Sequence, residues 1–486
     1  MIENNTTSGI NVATDHFKVS FKNEIDNLNE ASLQDFLNLV GFQYQLKDLT
    51  FPIKRGLLAI CTNSYSKNEL GSIVLKEGTY GDLSLFLFYL SHLESLGAIV
   101  YNLYMADDLF CRFENMIEPV NFSKLKEELP PLKLSQFSFV RLINNTYVLE
   151  SSIGTSKITL ANPISSQIIF LLSEFKTIEE ISLALSVDKV LVNSFCYLLT
   201  IGGFIEFNTV SEEKENLELW NFHDLLFHNR SRYGRHNYPS GATYRFIGKK
   251  QPKPIKKEVE NVLKVISLEI PSFEELNESK KLQDCLDTRS SSREFKGLTL
   301  KELSTFLYRT LKIQKRSNYT VTGNNNEQVT FETFRAPYPS GGAIYELSFY
   351  ITIFDCEGLE SGFYYYNAFT HKLSLLQLQN KETAHMFWYA NACTGASKTP
   401  PVLITYSADF ERMFWKYESM AYAAILKHVG VVYQTMYLVA TDMNIGGCAL
   451  GNGNTEVFKK LTNNSPFKES SVGEFILGNK LTHTTS

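Results

Sequence analysis

Apolar and polar positions alternate differently in the two halves of the chain. In the first half, apolar residues recur at helical spacing, and twice such a run closes on glycine and passes into a strand-like stretch. These are "LESLGAIVYN" at 93–102 and "LLTIGGFIEFN" at 198–208. Glycine suits the left-handed residue that ends a helix, and the aromatic and β-branched residues after it suit an edge or wing strand. Around the second copy, "TYVLES" and "SKITLA" alternate as strands. "SSQIIFLLSEF" and "TIEEISLAL" read as helices, Thr177 and Glu180 are spaced as a capping box, and a last helix starts near Lys189. The pattern predicts two small winged-helix domains, at 15–120 and 130–210.

Residues 211–260 read as a linker. "NTVSEEKENLEL" is charged and "GKKQPKPIKKEVE" is lysine- and proline-rich, which keeps such segments solvated and extended. Between them lies an aromatic, basic island, "FHDLLFHNRSRYGRHNYPSGATYRF". From 261 to 486 the pattern turns to α+β. "LQDCLDTRSSSREFKGLTLKELSTFLYRTL" gives helix, polar turn and helix; "YELSFYITIF", "GFYYYN" and "HKLSLLQL" alternate as strands; "PPVLITYSA" reads as a buried strand. The stretch 414–453 predicts one long, mostly buried helix, with Lys416 and Tyr417 in its first turn.

Composition narrows the picture only slightly. The 486 residues are 44% hydrophobic, enough for at least one large core, and the net charge of -5 leaves no footprint for nucleic acid or an anionic membrane. Seven cysteines are odd in number and contain no CxxC pair, so neither a disulfide framework nor a zinc site is expected. His223, His228 and His236 fit no zinc spacing either, and no metal is expected. The amino terminus lacks the regions of a signal peptide and no run reaches 18 apolar residues, so a cytoplasmic protein is expected.

Three turns of the second half point to chemistry. Arg289, Ser290, Ser291 and Arg293 in "RSSSREF" make a fork of two guanidiniums and several hydroxyls suited to a phosphate dianion, although charge-rich turns are more often plain surface. Pro339, Ser340, Gly341 and Gly342 form a compact turn where backbone and a flat ligand can approach closely, or an ordinary loop. Gly446 and Gly447 follow the long helix as a second close-approach point, or as a helix cap.

Together these turns resemble the nitroreductase-like flavoproteins, and more narrowly their azoline-oxidising branch, the thiazole- and oxazole-forming dehydrogenases of cyanobactin oxidase type. The resemblance spans about 265–480 and extends to the island. It implies an α+β, nitroreductase-like FMN-binding domain over 261–486, preceded by the two winged-helix domains. Arg289, Ser291 and Arg293 match the turn that holds FMN phosphate and ribityl, with Ser290 beside them. Pro339, Ser340, Gly341 and Gly342 match the segment along the isoalloxazine, Gln434 matches a glutamine of the flavin helix, and Gly446 and Gly447 match the glycine pair after it. "GVVYQT" departs from the G-H-x-x-Q-N pattern at Val431 and Thr435.

Lys416 and Tyr417 match a catalytic Lys-Tyr pair of the azoline oxidases. The resemblance thus implies dehydrogenation of thiazoline or oxazoline rings in a ribosomally made precursor peptide, with Lys416 as base, oxygen reoxidising the flavin, and obligate homodimers. Phe414, Trp415 and Met420 are expected to desolvate the amine. The winged-helix domains, resembling peptide-recognition elements, are expected to bind the precursor as an added strand. Two alternatives stay open: an NAD(P)H-dependent reductase of small electrophiles, and a peptide-binding scaffold with a vestigial flavin domain.

Overall fold

The computed structural model describes residues 17–22, 49–117, 129–208, 212–323 and 326–481, and it separates into two units, Met1–Tyr238 and Pro239–Ser486. Residues 15–16, 23–48 and 118–120 of the first expected winged-helix domain lie outside the described residues. The boundary between the units falls inside the expected linker, so the aromatic island is shared between them.

In the first unit, helices Phe51–Thr62, Lys67–Leu75 and Tyr80–Ser95 precede a hairpin. The strands are β1 (Phe17–Phe21), β2 (Ile99–Met105), β3 (Asp108–Asn115), β4 (Leu132–Leu134), β5 (Ser138–Ile143), β6 (Thr146–Ser151), β7 (Ser156–Leu160) and β8 (Ile205–Phe207). Antiparallel pairing gives one sheet in the order β1-β2-β3-β7-β6-β5, while β4 pairs β8. Strands from the 15–120 and 130–210 segments therefore meet in one sheet, at the β3–β7 pair. A single core including Phe86, Phe110, Phe113 and Phe195 serves both segments.

The repeat read from the sequence has a physical basis. Gly97 (φ +70°) and Gly203 (φ +76°) each close a helix in the left-handed region. In both copies the amide after the glycine donates to a carbonyl five residues back, Ala98 to Leu93 and Phe204 to Leu199. The capping box at Thr177 is present: its hydroxyl accepts from the Glu180 amide (3.2 Å) and Glu180 accepts from the Thr177 amide (2.7 Å).

In the second unit the strands are β9 (Gly241–Ala242), β10 (Lys264–Ser267), β11 (Phe295–Lys296), β12 (Leu298–Thr299), β13 (Lys315–Thr322), β14 (Gln328–Arg335), β15 (Leu347–Ile353), β16 (Cys356–Glu357), β17 (Gly362–Asn367), β18 (Lys372–Leu378), β19 (Val402–Asp409), β20 (Tyr417–Glu418), β21 (Ile445–Leu450) and β22 (Glu469–Lys480). The main sheet runs β10-β18-β17-β15-β19-β22-β11, with β21 also paired to β22. Side chains alternate between its faces, as the period of two requires. Phe349, Ile351, Ile404, Tyr406, Phe475 and Leu477 join one core with helix Leu300–Leu311 and the long helix Ala421–Asp442. Tyr350, Phe363, Leu403 and Ile476 join the other, with helices Lys381–Thr394 and Thr455–Thr462. This is the expected α+β class.

The long helix is long and apolar enough to cross a membrane by length and composition. Ala421, Ala424, Ile425, Val429, Val432, Met436 and Ala440 nevertheless pack into the sheet's core. Its start corrects the sequence reading. Residues 414–453 do not form one helix: Phe410–Lys416 is a separate helix, Tyr417–Glu418 pairs β9, and the long helix begins at Ala421. The break has local causes. Ser419 sits at φ +56°, its hydroxyl donates to Pro239 O (2.7 Å), and Glu418 accepts from Thr243 (2.6 Å) and Arg245 (3.0 Å).

Ile404 lies in the interior strand β19 with no exposed surface. Ile404→Ala should destabilise the second unit by about 2–5 kcal/mol, from lost transfer energy plus the cavity left behind. Denaturant unfolding followed by a probe in that unit measures it.

Candidate functional site

The residues predicted from sequence fall into two clusters. In the first, Arg289 caps the short helix Leu282–Thr288, and its guanidinium lies 5.0 Å from the centre of the Tyr437 ring. The Ser291 and Tyr437 hydroxyls share a hydrogen bond of 3.0 Å, and the Ser292 amide donates to Gly447 O at 3.0 Å. Glycine is needed here because the two backbones cross: a Cβ on Gly446 would sit 2.8 Å from Ser292 Cβ, and one on Gly447 2.5 Å from the Phe475 ring. Ser290, Ser291 and Arg293 are exposed and Arg289 is half-buried. Among the described residues no carboxylate pairs with either arginine.

The second cluster joins the 339–342 turn to the Lys-Tyr pair. Gly342 has φ +60°, and a Cβ there would lie 2.3 Å from Lys416 Nζ and 2.5 Å from Tyr417 Oη. Only glycine lets the amine and phenol rest on this turn. Lys416 is 6% exposed. Its ammonium donates to Gly342 O (3.3 Å), and the rings of Tyr244, Tyr319 and Tyr417 lie 5.4, 5.6 and 5.3 Å away. No carboxylate compensates it among the described residues, and burial holds its pKa below the ordinary lysine value. Burial, with Tyr319 and Glu346 nearby, pushes the Tyr417 phenol up.

The expected apolar wall is different in kind. Trp415 turns away, donating its indole N–H to Lys250 O (2.8 Å), and Phe414 stacks on Phe410. A tyrosine cage does the desolvating instead. Tyr244 belongs to the aromatic island and Tyr319 to β13, so a sequence search around Lys416 has no means of finding them.

The turn is held from the far side by residues the sequence reading missed. The Gly341 amide donates to His428 Nε2 (2.7 Å), and His428 Nδ1 meets Glu346 Oε1 (2.7 Å). Ser340 Oγ donates to Glu346 Oε2 (3.3 Å) and accepts from the Tyr345 amide (2.9 Å). Pro339 is exposed beside this network.

The long helix separates the clusters. His428 and Tyr437 are nine residues apart on it, two and a half turns, which places them on opposite sides and about 14 Å apart along the axis. Gln434 lies one turn before Tyr437, exposed, with no hydrogen bond to either cluster among the described residues.

A cavity of about 420 Å³ opens between the helix residues Tyr422, Val429 and Tyr433, the turn at Leu450–Gly453, and β22 at Glu474. Glu474 is 5% exposed, its Oε1 has no hydrogen-bond partner among the described residues, and burial raises its pKa to about 7. A Cβ on Gly453 would fall 2.1 Å from that carboxylate.

The cyanobactin oxidase ThcOx family model matches residues 132–237, and the nitroreductase family model matches 287–478. A protein of Methanocaldococcus jannaschii named as a nitroreductase is 30% identical over 188 residues, covering 38% of this chain and 84% of that protein. The trifolitoxin-processing protein TfxB of Rhizobium leguminosarum bv. trifolii is 24% identical over 160 residues; the match covers 32% of this chain and 43% of TfxB. A chain of the E. coli microcin synthetase McbBCD complex, solved with truncated pro-MccB17 bound, aligns at 17% identity and a TM-score of 0.32 over 56% of this chain and 99% of that one.

Glu474 carries a pH signature with a definite sign. The unfolded carboxyl loses its proton near the ordinary value of about 4.3 while the folded one keeps it to about 7, so stability falls as pH rises between them. Glu474→Gln should remove that slope and stabilise the protein by about 3 kcal/mol at pH 8, with little gain at pH 4. Denaturant titrations at both pH values check it.

Proposed function

The chain belongs to the nitroreductase family, and from that premise we propose that this oxidoreductase dehydrogenates thiazoline or oxazoline rings of a ribosomally made peptide, using FMN. The observation that carries the reading is the Lys416 amine: buried, without a counter-charge among the described residues, and perched on the Gly342 carbonyl. Such a group is a proton acceptor in waiting, because burial makes its neutral form accessible.

The residues present fit FMN. Arg289 and Arg293 offer two guanidiniums with no carboxylate partner among the described residues, beside the exposed Ser290 and Ser291 hydroxyls, the donor set for a phosphate monoester. Gly341 and Gly342 offer a backbone surface without side chains, suited to a planar ring. Bound there, FMN supplies a hydride acceptor for the carbon being oxidised. Lys416 takes the proton from the neighbouring ring carbon, completing the loss of two hydrogens per azoline. The tyrosine cage keeps water from the amine, and Tyr417, against the same glycine, orients it or passes its proton onward. Oxygen is the proposed final electron acceptor.

Because the arginine turn and Lys416 stand on opposite sides of one helix, we assign each flavin site to two copies of the chain. One copy gives Arg289 and Arg293, and its partner gives the 339–342 turn with Lys416. Exposed Tyr422, Leu426, Lys427, Gly430 and Gln434 on the long helix are the surface proposed to meet that partner. In the first unit, β5 ends the sheet and exposes Val140 and Leu142, the edge proposed to take the precursor as an added strand. The winged-helix reading of 15–120 and 130–210 remains part of this proposal. The ThcOx family match and the name of TfxB, a trifolitoxin-processing protein, support a peptide substrate. The match to the M. jannaschii protein named as a nitroreductase favours the second reading, reduction of small electrophiles; rapid flavin bleaching by NADPH without peptide would establish that one instead.

Lys416→Ala should retain bound FMN while turnover of an azoline peptide, read by mass loss, falls about 10²–10⁴-fold. In the parent protein kcat should rise with pH through the depressed Lys416 pKa, since the base works only when neutral, and that limb should vanish in the variant. Equal loss of flavin and turnover would make Lys416 structural.

A further inference from the structure

We propose that His428 and Glu346 are a positioning pair that clamps the Gly341–Gly342 turn and thereby fixes the perch of Lys416. The inference rests on the reading of Lys416 as the base. Its chain of contacts is continuous. Glu346 bonds His428, His428 bonds the Gly341 amide, and the carbonyl of the following residue, Gly342, accepts from Lys416.

The chemistry of the pair fixes its protonation. A backbone N–H only donates, so His428 Nε2, which faces the Gly341 amide at 2.7 Å, must present its lone pair. Nδ1 then carries the proton and donates to Glu346, whose side chain is 0% exposed, against 10% for His428. An imidazolium has two donors and no acceptor, so protonating His428 breaks the bond to Gly341.

The turn needs such a clamp. Gly342, Ala343 and Tyr345 all have positive φ, at +60°, +55° and +46°, and the two non-glycine residues hold that shape only against a local cost. Glu346 answers with two bonds, accepting from His428 and from Ser340, whose oxygen in turn accepts from the Tyr345 amide. The other ionisable groups around the pair are Lys416 and Tyr417 on the glycine side, Arg412, which donates to Ile344 O, and buried Tyr338.

The test uses the flavin-loaded full chain with an azoline peptide, and amide hydrogen exchange over 339–346 in the same preparations. His428→Ala should lower kcat about 10²-fold, as small misplacements of a catalytic group do, with KM within a few-fold and FMN still stoichiometric. Exchange over the turn should quicken at least about tenfold, the protection a hydrogen bond of about 1.4 kcal/mol gives. His428→Gln, whose side-chain oxygen accepts from the Gly341 amide and whose NH2 donates to Glu346, should recover most of the turnover and slow exchange again. Glu346→Gln keeps the packing and one acceptor oxygen, so turnover and exchange should fall between those of the parent and of His428→Ala. The proposal is overturned if His428→Ala keeps kcat and exchange unchanged, or if His428→Gln is as damaged as His428→Ala. Should the parent protein fail to oxidise azolines, the exchange measurements still decide the clamp, so the two failures remain distinct.

Discussion

The second unit depends on the burial of one helix, Ala421–Asp442, against one face of its sheet. Ile425, Val429, Val432 and Met436 are held by Ile404, Tyr406 and Phe475, and at about 1.5–3 kcal/mol per fully buried apolar side chain this contact outweighs any single polar interaction in the unit. Everything chemical is hung on that helix. Near one end His428 reaches the 339–342 turn, and near the other Tyr437 carries Arg289 and Ser291. Because the helix cannot turn without exposing its core face, the two clusters are fixed on opposite sides of it.

Lys416 and Glu474 are buried with no salt-bridge partner among the described residues, in contrast to Lys257, which has one. Lys257 meets Glu469, which also accepts from Ser407; the paired charge opposes the burial, which still holds the Lys257 amine below the ordinary lysine value. Lys416 and Glu474 carry their desolvation uncompensated among the described residues, which pulls the amine down and pushes the carboxyl up. Such groups cost stability and are retained where a function needs a labile proton. Glu474 faces a cavity beside the glycine-rich turn after β21, close in sequence to Gly447.

Much of the frame was legible because it rests on local rules. Glycine closures at 97 and 203, the Thr177 capping box, the alternating strand at 347–353 and the continuous apolar run of the buried strand at 402–409 follow from short-range sterics and hydrophobic patterning. The three turns were legible as glycine and arginine clusters. The tyrosine cage and the Glu346–His428 pair were not, because their partners lie far apart in sequence and meet only through tertiary packing. The break before Ala421 escaped a periodicity reading for a related reason. Apolar spacing continues across it, and what interrupts the helix is the pairing of Tyr417–Glu418 with β9 and the bonds of Ser419 and Glu418 to residues 239–245.

The central claim is that the arginine turn of one chain and the lysine perch of another complete a single site. Mixing two inactive chains, one carrying Lys416→Ala and the other Arg289→Ala with Arg293→Ala, tests it most directly. After subunit exchange the account predicts azoline oxidation at about a quarter of the parent rate, since half the dimers are mixed and each mixed dimer holds one intact site. If the mixture stays as inactive as its components while exchange is verified, the arginine turn and the lysine of one chain serve the same site, and the account is wrong.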